Sequence, residues 1–187
     1  MTARLLSVNL AVAKVFSLRS RDVPTGIFKE PAAGRVALTR LTLEGDIQVD
    51  KRVHGGPEQA VYVYPSEHYP HFRRLLERPD LSAGFFGENF TTEGLLEDAV
   101  RVGDVFRVGS ALVQVTRPRG PCFKIGLKAG SAAFVRTLLE SRRLGFYLRV
   151  LEEGEVGAGD AITPVSSDPD APTIAEDIEE RFFARVG

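Results

Sequence analysis

Residues 101–115 read RVGDVFRVGSALVQV, two short runs that alternate between apolar and polar residues on either side of Gly109-Ser110. Period-two alternation rich in β-branched and aromatic residues marks half-buried strands. Glycine at the first position of a two-residue loop suits a type II′ turn. The stretch therefore predicts a hairpin of residues 100–108 against 111–115. The same alternation recurs at 35–43 (RVALTRLTL), at 61–64, at 146–151 and near the start, where Leu6, Val8, Leu10 and Val12 alternate. Gly-Asp pairs at 45, 103 and 159, each beside an alternating run, read as recurrent turn chemistry rather than an internal repeat. These runs predict a mainly β (α+β) chain.

Three helical segments complete the pattern. One begins near Ser66 and places Tyr69, Phe72, Leu75 and Leu76 on one face until Pro79 stops it. A second starts at Ser131 as N-cap, turns Phe134, Val135, Leu138 and Leu139 inward, and ends where Gly145 caps it. After a Ser/Asp/Pro linker at 166–172, Thr173-Ile-Ala-Glu176 is a capping box. Ile174, Ile178 and Phe182 follow at spacing four, so residues 173–187 are expected as an amphipathic helix seated on the barrel or on a second subunit of a homodimer.

With 24 Lys+Arg against 25 Asp+Glu the net charge is -1. This argues against whole-protein attraction to nucleic acid or an acidic membrane, so anion binding must be local. The first apolar stretch is too short for a signal peptide, and no run approaches the roughly 20 residues of a membrane span. The single cysteine, Cys122, excludes an intramolecular disulfide and a paired-cysteine zinc site. A reducing cytoplasm is the expected location.

Cys122 lies in TRPRGPCFKIG, residues 116–126. Pro118 and Pro121 fix φ, Gly120 widens the local choice of conformation, and Arg117, Arg119 and Lys124 add charge that favours a thiolate. The bland alternative is an inert buried cysteine. Two further segments carry candidates. His54-Gly55-Gly56-Pro57, preceded by Lys51 and Arg52, lets backbone approach a ligand beside positive charge, although an ordinary Gly-Gly-Pro turn explains it equally well. GFFGENF, residues 84–90, sets Glu88 beside Asn89, a pair suited to orienting a polar ligand or handling a proton. His68 and His71, three apart on the first helix, are expected to be solvent-exposed rather than metal ligands. No serine elbow, phosphate-cradling lysine motif or dinucleotide fingerprint is present.

TGIFKEP, GDIQVDKRVHGGPEQAVYVYP, GFFGENFTTEG, VGDVFRVG and TRPRGPCFKIG, in this order, resemble the MOSC domain, named for its place at the C-terminus of molybdenum cofactor sulfurases, and within it the stand-alone bacterial YiiM-type branch. The resemblance covers about residues 4–165. It implies a MOSC-type β-barrel-like domain with a few peripheral helices, and a molybdenum cofactor (molybdopterin) whose metal takes Cys122 as ligand. It also implies reduction of N-hydroxylated compounds such as hydroxylaminopurines to amines, with electrons from a flavoprotein or iron–sulfur protein. Glu88 and His54 are then the expected proton handlers. Lys51, His54, Gly55, Gly56, Asn89, Arg117, Arg119 and Lys124 are the expected cofactor contacts. Longer members of the branch end in three short helices, whereas this sequence has one, which bears on substrate cover and donor docking. The competing expectations are a persulfide or cofactor carrier using Cys122 without redox turnover, and a small-anion binding module.

Overall fold

The computed structural model describes residues 3–11, 14–18, 21–46 and 56–184. Twelve strands and four α-helices occur among them: β1 (Ala3–Ala11), β2 (Lys14–Leu18), β3 (Arg21–Thr25), β4 (Lys29–Pro31), β5 (Val36–Leu38), β6 (Val61–Pro65), β7 (Phe90–Glu93), β8 (Val105–Val108), β9 (Ala111–Pro118), β10 (Phe146–Glu152), β11 (Gly154–Val156) and β12 (Ala161–Ser166), with α1 (Tyr69–Leu75), α2 (Phe123–Ala129), α3 (Phe134–Glu140) and α4 (Ile174–Phe182). Seven strands close a barrel in the order β1-β12-β8-β9-β10-β6-β7 and back to β1. Every pairing in it is antiparallel except β6 with β7. Strand β4 extends the sheet beyond β1, while β5–β11 and β2–β3 are separate ribbons.

The predicted hairpin is β8–β9. Val108 pairs with Ala111, and Gly109 takes φ +55° while Ser110 does not take a positive φ, as a type II′ turn requires. A Cβ at 109 would stand 2.2 Å from the Glu155 carbonyl oxygen, so no other residue fits. All three Gly-Asp pairs prove to be turns with positive φ at the glycine. Their aspartates accept backbone N–H groups from Ala11, Arg101 and Gly157.

The barrel interior is filled by Leu5, Val61, Val63, Phe90, Val113, Val115, Phe146 and Leu148, all buried in one cluster. Each such side chain contributes roughly 1.5–3 kcal/mol on leaving water. Strand β6 is buried on both faces, because helices cover its outer side. Tyr64 stacks on Phe86 at 4.1 Å, Phe86 meets Tyr69 of α1 edge-on at 5.2 Å, and Phe72 meets Phe134 of α3 at 5.6 Å. Aromatic pairs at these separations add to simple area burial.

Several local expectations need correction. In β1 a register shift between Leu5 and Ser7 changes the phase, so Leu6 is exposed and Leu5, Ser7, Val8 and Asn9 are buried. Only residues 36–38 of the 35–43 run form a strand. The Thr39 hydroxyl draws the Leu41 and Thr42 amides into a turn, a local competitor of the sheet ladder. Residues 66–68 form a 3-10 turn ahead of α1, and Leu75 faces solvent. Ser131 does not cap α3, whose N-cap is Ala133, and Gly145 does not end it. The residue in left-handed conformation after α3 is Arg142, while Gly145 opens β10 where a Cβ would meet the Val63 carbonyl at 2.2 Å. Helix α2 has no counterpart among the sequence expectations. The capping box of α4 forms as read. Ile174 and Ile178 are buried against the chain's own barrel, and Phe182 reaches Gly120.

Candidate functional site

Strand β9 ends at Pro118, the turn 119–121 follows, and Cys122 is the N-cap of α2, its Sγ accepting the Lys124 N–H at 3.4 Å. The thiol is free and partly buried, and the next residue, Phe123, is 57% exposed. Sequence position alone therefore does not decide the chemistry; the neighbours do.

Arg119 is the central neighbour. Its amide donates to the Gly145 carbonyl at 3.1 Å, and its guanidinium lies 4.2 Å over the Tyr62 ring. Nε donates to the Tyr147 hydroxyl at 3.1 Å and Nη1 to the Phe86 carbonyl at 3.3 Å. Cys122 follows three residues later, and its thiol is among the groups that favour the charged guanidinium. All of these partners are neutral, and among the described residues no carboxylate pairs with Arg119. Arg117 and Lys124, partly buried on the same segment, likewise have no ion-pair partner among the described residues.

The GFFGENF segment converges on this rim. Tyr62 holds both ends of the contact, with its ring under Arg119, its carbonyl accepting the Asn89 N–H at 2.8 Å, and its own N–H donating to Asn89 Oδ1 at 3.2 Å. Asn89 Nδ2 donates to the Asn9 carbonyl and to Asp46 Oδ2, so the whole amide is engaged within the protein. Glu88 is fully buried. Its Oε1 accepts from the Tyr69 hydroxyl, from the Gly84 N–H at 2.8 Å and from the Thr91 hydroxyl at 2.8 Å, while Oε2 has no partner. Burial pushes the Glu88 carboxyl above the ordinary carboxylate range, against the opposing pull of the Tyr69 and Gly84 hydrogen bonds.

Lys51, His54 and Gly55 fall outside the described residues. Gly56, the first described residue after them, has φ 89° and opens the Pro57–Gln59 turn. The Thr116 hydroxyl donates to the Glu58 carbonyl at 2.8 Å, which ties that turn to the strand leading into the cysteine. His68 departs from expectation. It is buried, with Nε2 2.7 Å from Glu97 Oε2, because the 3-10 turn points it inward toward Tyr64. His71 is half-buried, its ring edge-on to Phe72 at 4.8 Å, and no group of three metal-ligating side chains occurs among the described residues.

A cleft of about 170 Å³ lies on the far side of α2, lined by Phe28, Lys29, Phe85 and Lys128 among others. Its deep cations are already engaged. Lys29 Nζ contacts both oxygens of Asp46 at 2.7 Å, and Lys128 Nζ donates to the Ile27 and Gly84 carbonyls. Burial lowers the Lys29 pKa, and Asp46 opposes the shift. Tyr62 and Tyr147 were not legible as neighbours of Arg119, since only the register of β9, β10 and β6 brings them to it.

The molecule is a small β domain, a closed barrel whose one thiol follows β9, three residues from a cation that has no ion-pair partner among the described residues. The chain belongs to the MOSC domain family, whose model matches residues 50–163, a family associated with the molybdenum cofactor. It is 47% identical to Bacillus subtilis YflK over 82% of this chain and 69% of that protein. It is 40% identical to Escherichia coli YiiM over 76% of this chain and 65% of that one. A protein named Reductase from Gibberella moniliformis is 32% identical over 76% of this chain, which spans 26% of its length. The crystal structure of YiiM from Geobacillus stearothermophilus superposes with a TM-score of 0.78 at 34% identity, covering 95% of this chain and 82% of that one. Fold and relatives make this a YiiM-like MOSC protein. Among its described residues no helix is long and apolar enough to cross a membrane.

Proposed function

We propose that the protein binds molybdenum cofactor on this rim and reduces N-hydroxylated compounds, hydroxylaminopurines among them, to amines. One observation carries the reading: Arg119 is a partly buried cation three residues from a free thiol, and its partners among the described residues are all neutral. A withdrawn charge without a counter-ion is costly, and an anionic ligand removes that cost. The donor set fits the group. A metal already held by an organic dithiolene needs from the protein one soft thiolate, not a cluster of ligands, and Cys122 supplies it. Arg119, Arg117 and Lys124 offer charge-assisted hydrogen bonds to phosphate and carbonyl oxygens.

Bound cofactor would supply the two electrons that the reaction R–NH–OH + 2e⁻ + 2H⁺ → R–NH₂ + H₂O consumes. The chain's part is to bind, to orient and to manage protons. Glu88 holds its carboxyl in a dry site with one oxygen uncommitted, and burial shifts it toward the protonated form that can donate a proton. His54 is the second proton handler in this reading, and Lys51, Gly55 and Gly56 extend the cofactor contacts. The electron donor is a separate flavoprotein or iron–sulfur protein.

The test is protein made in a host that synthesises the cofactor. About one molybdenum per chain, turnover of a hydroxylaminopurine with a chemical reductant, and loss of that turnover in Cys122→Ser are expected. Serine keeps the size but offers a hard, protonated hydroxyl. Sulfane sulfur on Cys122 without molybdenum would replace this reading by the carrier, and anion binding unaffected by Cys122→Ser without either would leave the binding module.

A further inference from the structure

The C-terminal helix reaches the cysteine turn by one direct contact and one chain of hydrogen bonds. Phe182 of α4 lies over Gly120, and a Cβ on Gly120 would stand 3.3 Å from both Cε1 and Cζ of its ring. The other route runs through the helix start. The Ala175 N–H donates to the Glu97 carbonyl at 2.9 Å, Glu97 Oε1 accepts the Gly145 N–H at 2.8 Å, and the Gly145 carbonyl accepts the Arg119 N–H at 3.1 Å. Helix α4 thus holds the residue before Gly120 through hydrogen bonds and Gly120 itself through an aromatic ring. Its own seat is firm, since Ile174 and Ile178 are buried and Arg142 pairs with Glu179 while lying 4.0 Å over the Phe183 ring.

We propose that Phe182 is a positioning residue for Cys122: its ring, pressed on Gly120, fixes where the turn between β9 and α2 presents the thiol beside Arg119. Gly120 has no positive φ, so backbone strain does not explain a glycine there; the approach of Phe182 does. A side chain at 120 displaces either the ring or the turn, and the turn is two residues from the thiol. Phe182 is not among the residues proposed to hold cofactor or substrate, and its effect passes through the placement of residues 119–122. The inference takes Cys122 as the functional group but does not depend on the metal it serves.

The test is a double-mutant cycle on the full chain, reading Cys122 alkylation by neutral iodoacetamide and by the anion iodoacetate, with thermal unfolding measured alongside. Phe182→Ala should change the ratio of the two rates about threefold or more, within the range of coupling between contacting residues, because the thiol moves relative to Arg119. Gly120→Ala should also change it. In the Phe182→Ala background, Gly120→Ala should have little further effect, since the atoms it would strike are gone. Phe182→Leu should restore most of the wild-type ratio. Glu179→Gln, which loosens the helix without touching Gly120, should lower the melting temperature and leave the ratio alone. Independent effects of the two substitutions, or a ratio that follows melting temperature across all variants, would overturn the proposal. Either result would leave the molybdenum reading standing, because cofactor binding is not measured here.

Discussion

Lys29 and Arg119 are both cations withdrawn from water near the mouth of the barrel, and their environments differ in one respect. Lys29 has 8% of its side chain exposed and grips an aspartate, Asp46, that is 3% exposed. That aspartate also accepts from the Ala11 amide and the Asn89 side chain. Arg119 has a phenol ring, a phenol hydroxyl and a carbonyl, and no carboxylate among the described residues. A cation whose charge is cancelled inside the fold braces the strands around it. One whose charge is left over is kept for something that arrives from outside. On the proposed function, the cleft beside Lys29 belongs to structure and the rim beside Arg119 to ligand binding.

The strongest way to break it is to remove the aspartate. Asp46→Ala leaves Lys29 buried and unpaired, strips the Ala11 amide and Asn89 of an acceptor, and should cost roughly 3–5 kcal/mol of unfolding free energy, read from urea denaturation. A cost near zero would mean that Lys29 is already served by another anion and is no brace. Arg119→Met is the converse case. It keeps the apolar stem on Tyr62 and deletes the charge, so stability should change little, as when a buried ion is replaced by a hydrophobe of similar volume. Retention of molybdenum by cofactor-loaded protein should fall by about ten- to more than a hundredfold, the value of one charge-assisted contact. An unfolding cost as large as that of Asp46→Ala, with molybdenum fully retained, would place both cations in the same class.

What the sequence discloses of this arrangement follows the range of the interactions. The β8–β9 hairpin, the Gly-Asp turns and the α4 capping box depend on residues two to five apart, and all are readable from local chemistry. Closure of the barrel is not, because it rests on β1 meeting β12 across the length of the chain and on one parallel pairing, β6 with β7. The same holds at the site. The cysteine turn shows its own stiffness and charge, but the partners that leave Arg119 unneutralised sit on β6, on β10 and before β7, and only strand register assembles them. Helix α2 escaped notice because PCFKIGLKAG is short, contains an internal glycine and follows two prolines. Its packing on α3 favours that glycine, since a Cβ on Gly126 would stand 3.0 Å from Val135 Cγ2. His68 was misplaced because residues 66–68 form a 3-10 turn rather than the first turn of the α-helix, and its three-residue period gives another facing than the α-helical one.

The smallest expected effect tests whether Glu88 silently neutralises Arg119. Burial raises the Glu88 carboxyl above its ordinary range, so the native state holds that proton more tightly than the unfolded chain does. Its favourable contribution to stability is then complete below the unfolded value of about 4.3 and is lost as the pH climbs through the native one. Glu88→Gln cannot ionise. Its carbonyl can still accept from Tyr69, Gly84 and Thr91, and its amide occupies the position of the unpartnered oxygen. The variant should therefore lack this part of the pH dependence and, at pH 8, be at least as stable as the wild type, by about 1 kcal/mol if the buried acceptor is unsatisfied. Urea midpoints for both proteins between pH 5 and pH 9 measure the difference. If Glu88→Gln is instead the less stable protein at pH 8 and the gap widens with pH, the ionised carboxylate is favoured in the fold. The ionised Glu88 would then add to the field at Lys29, and loss of the preference in Arg119→Met would show that Arg119 also had it as counter-ion, so that the distinction between the two cations would vanish.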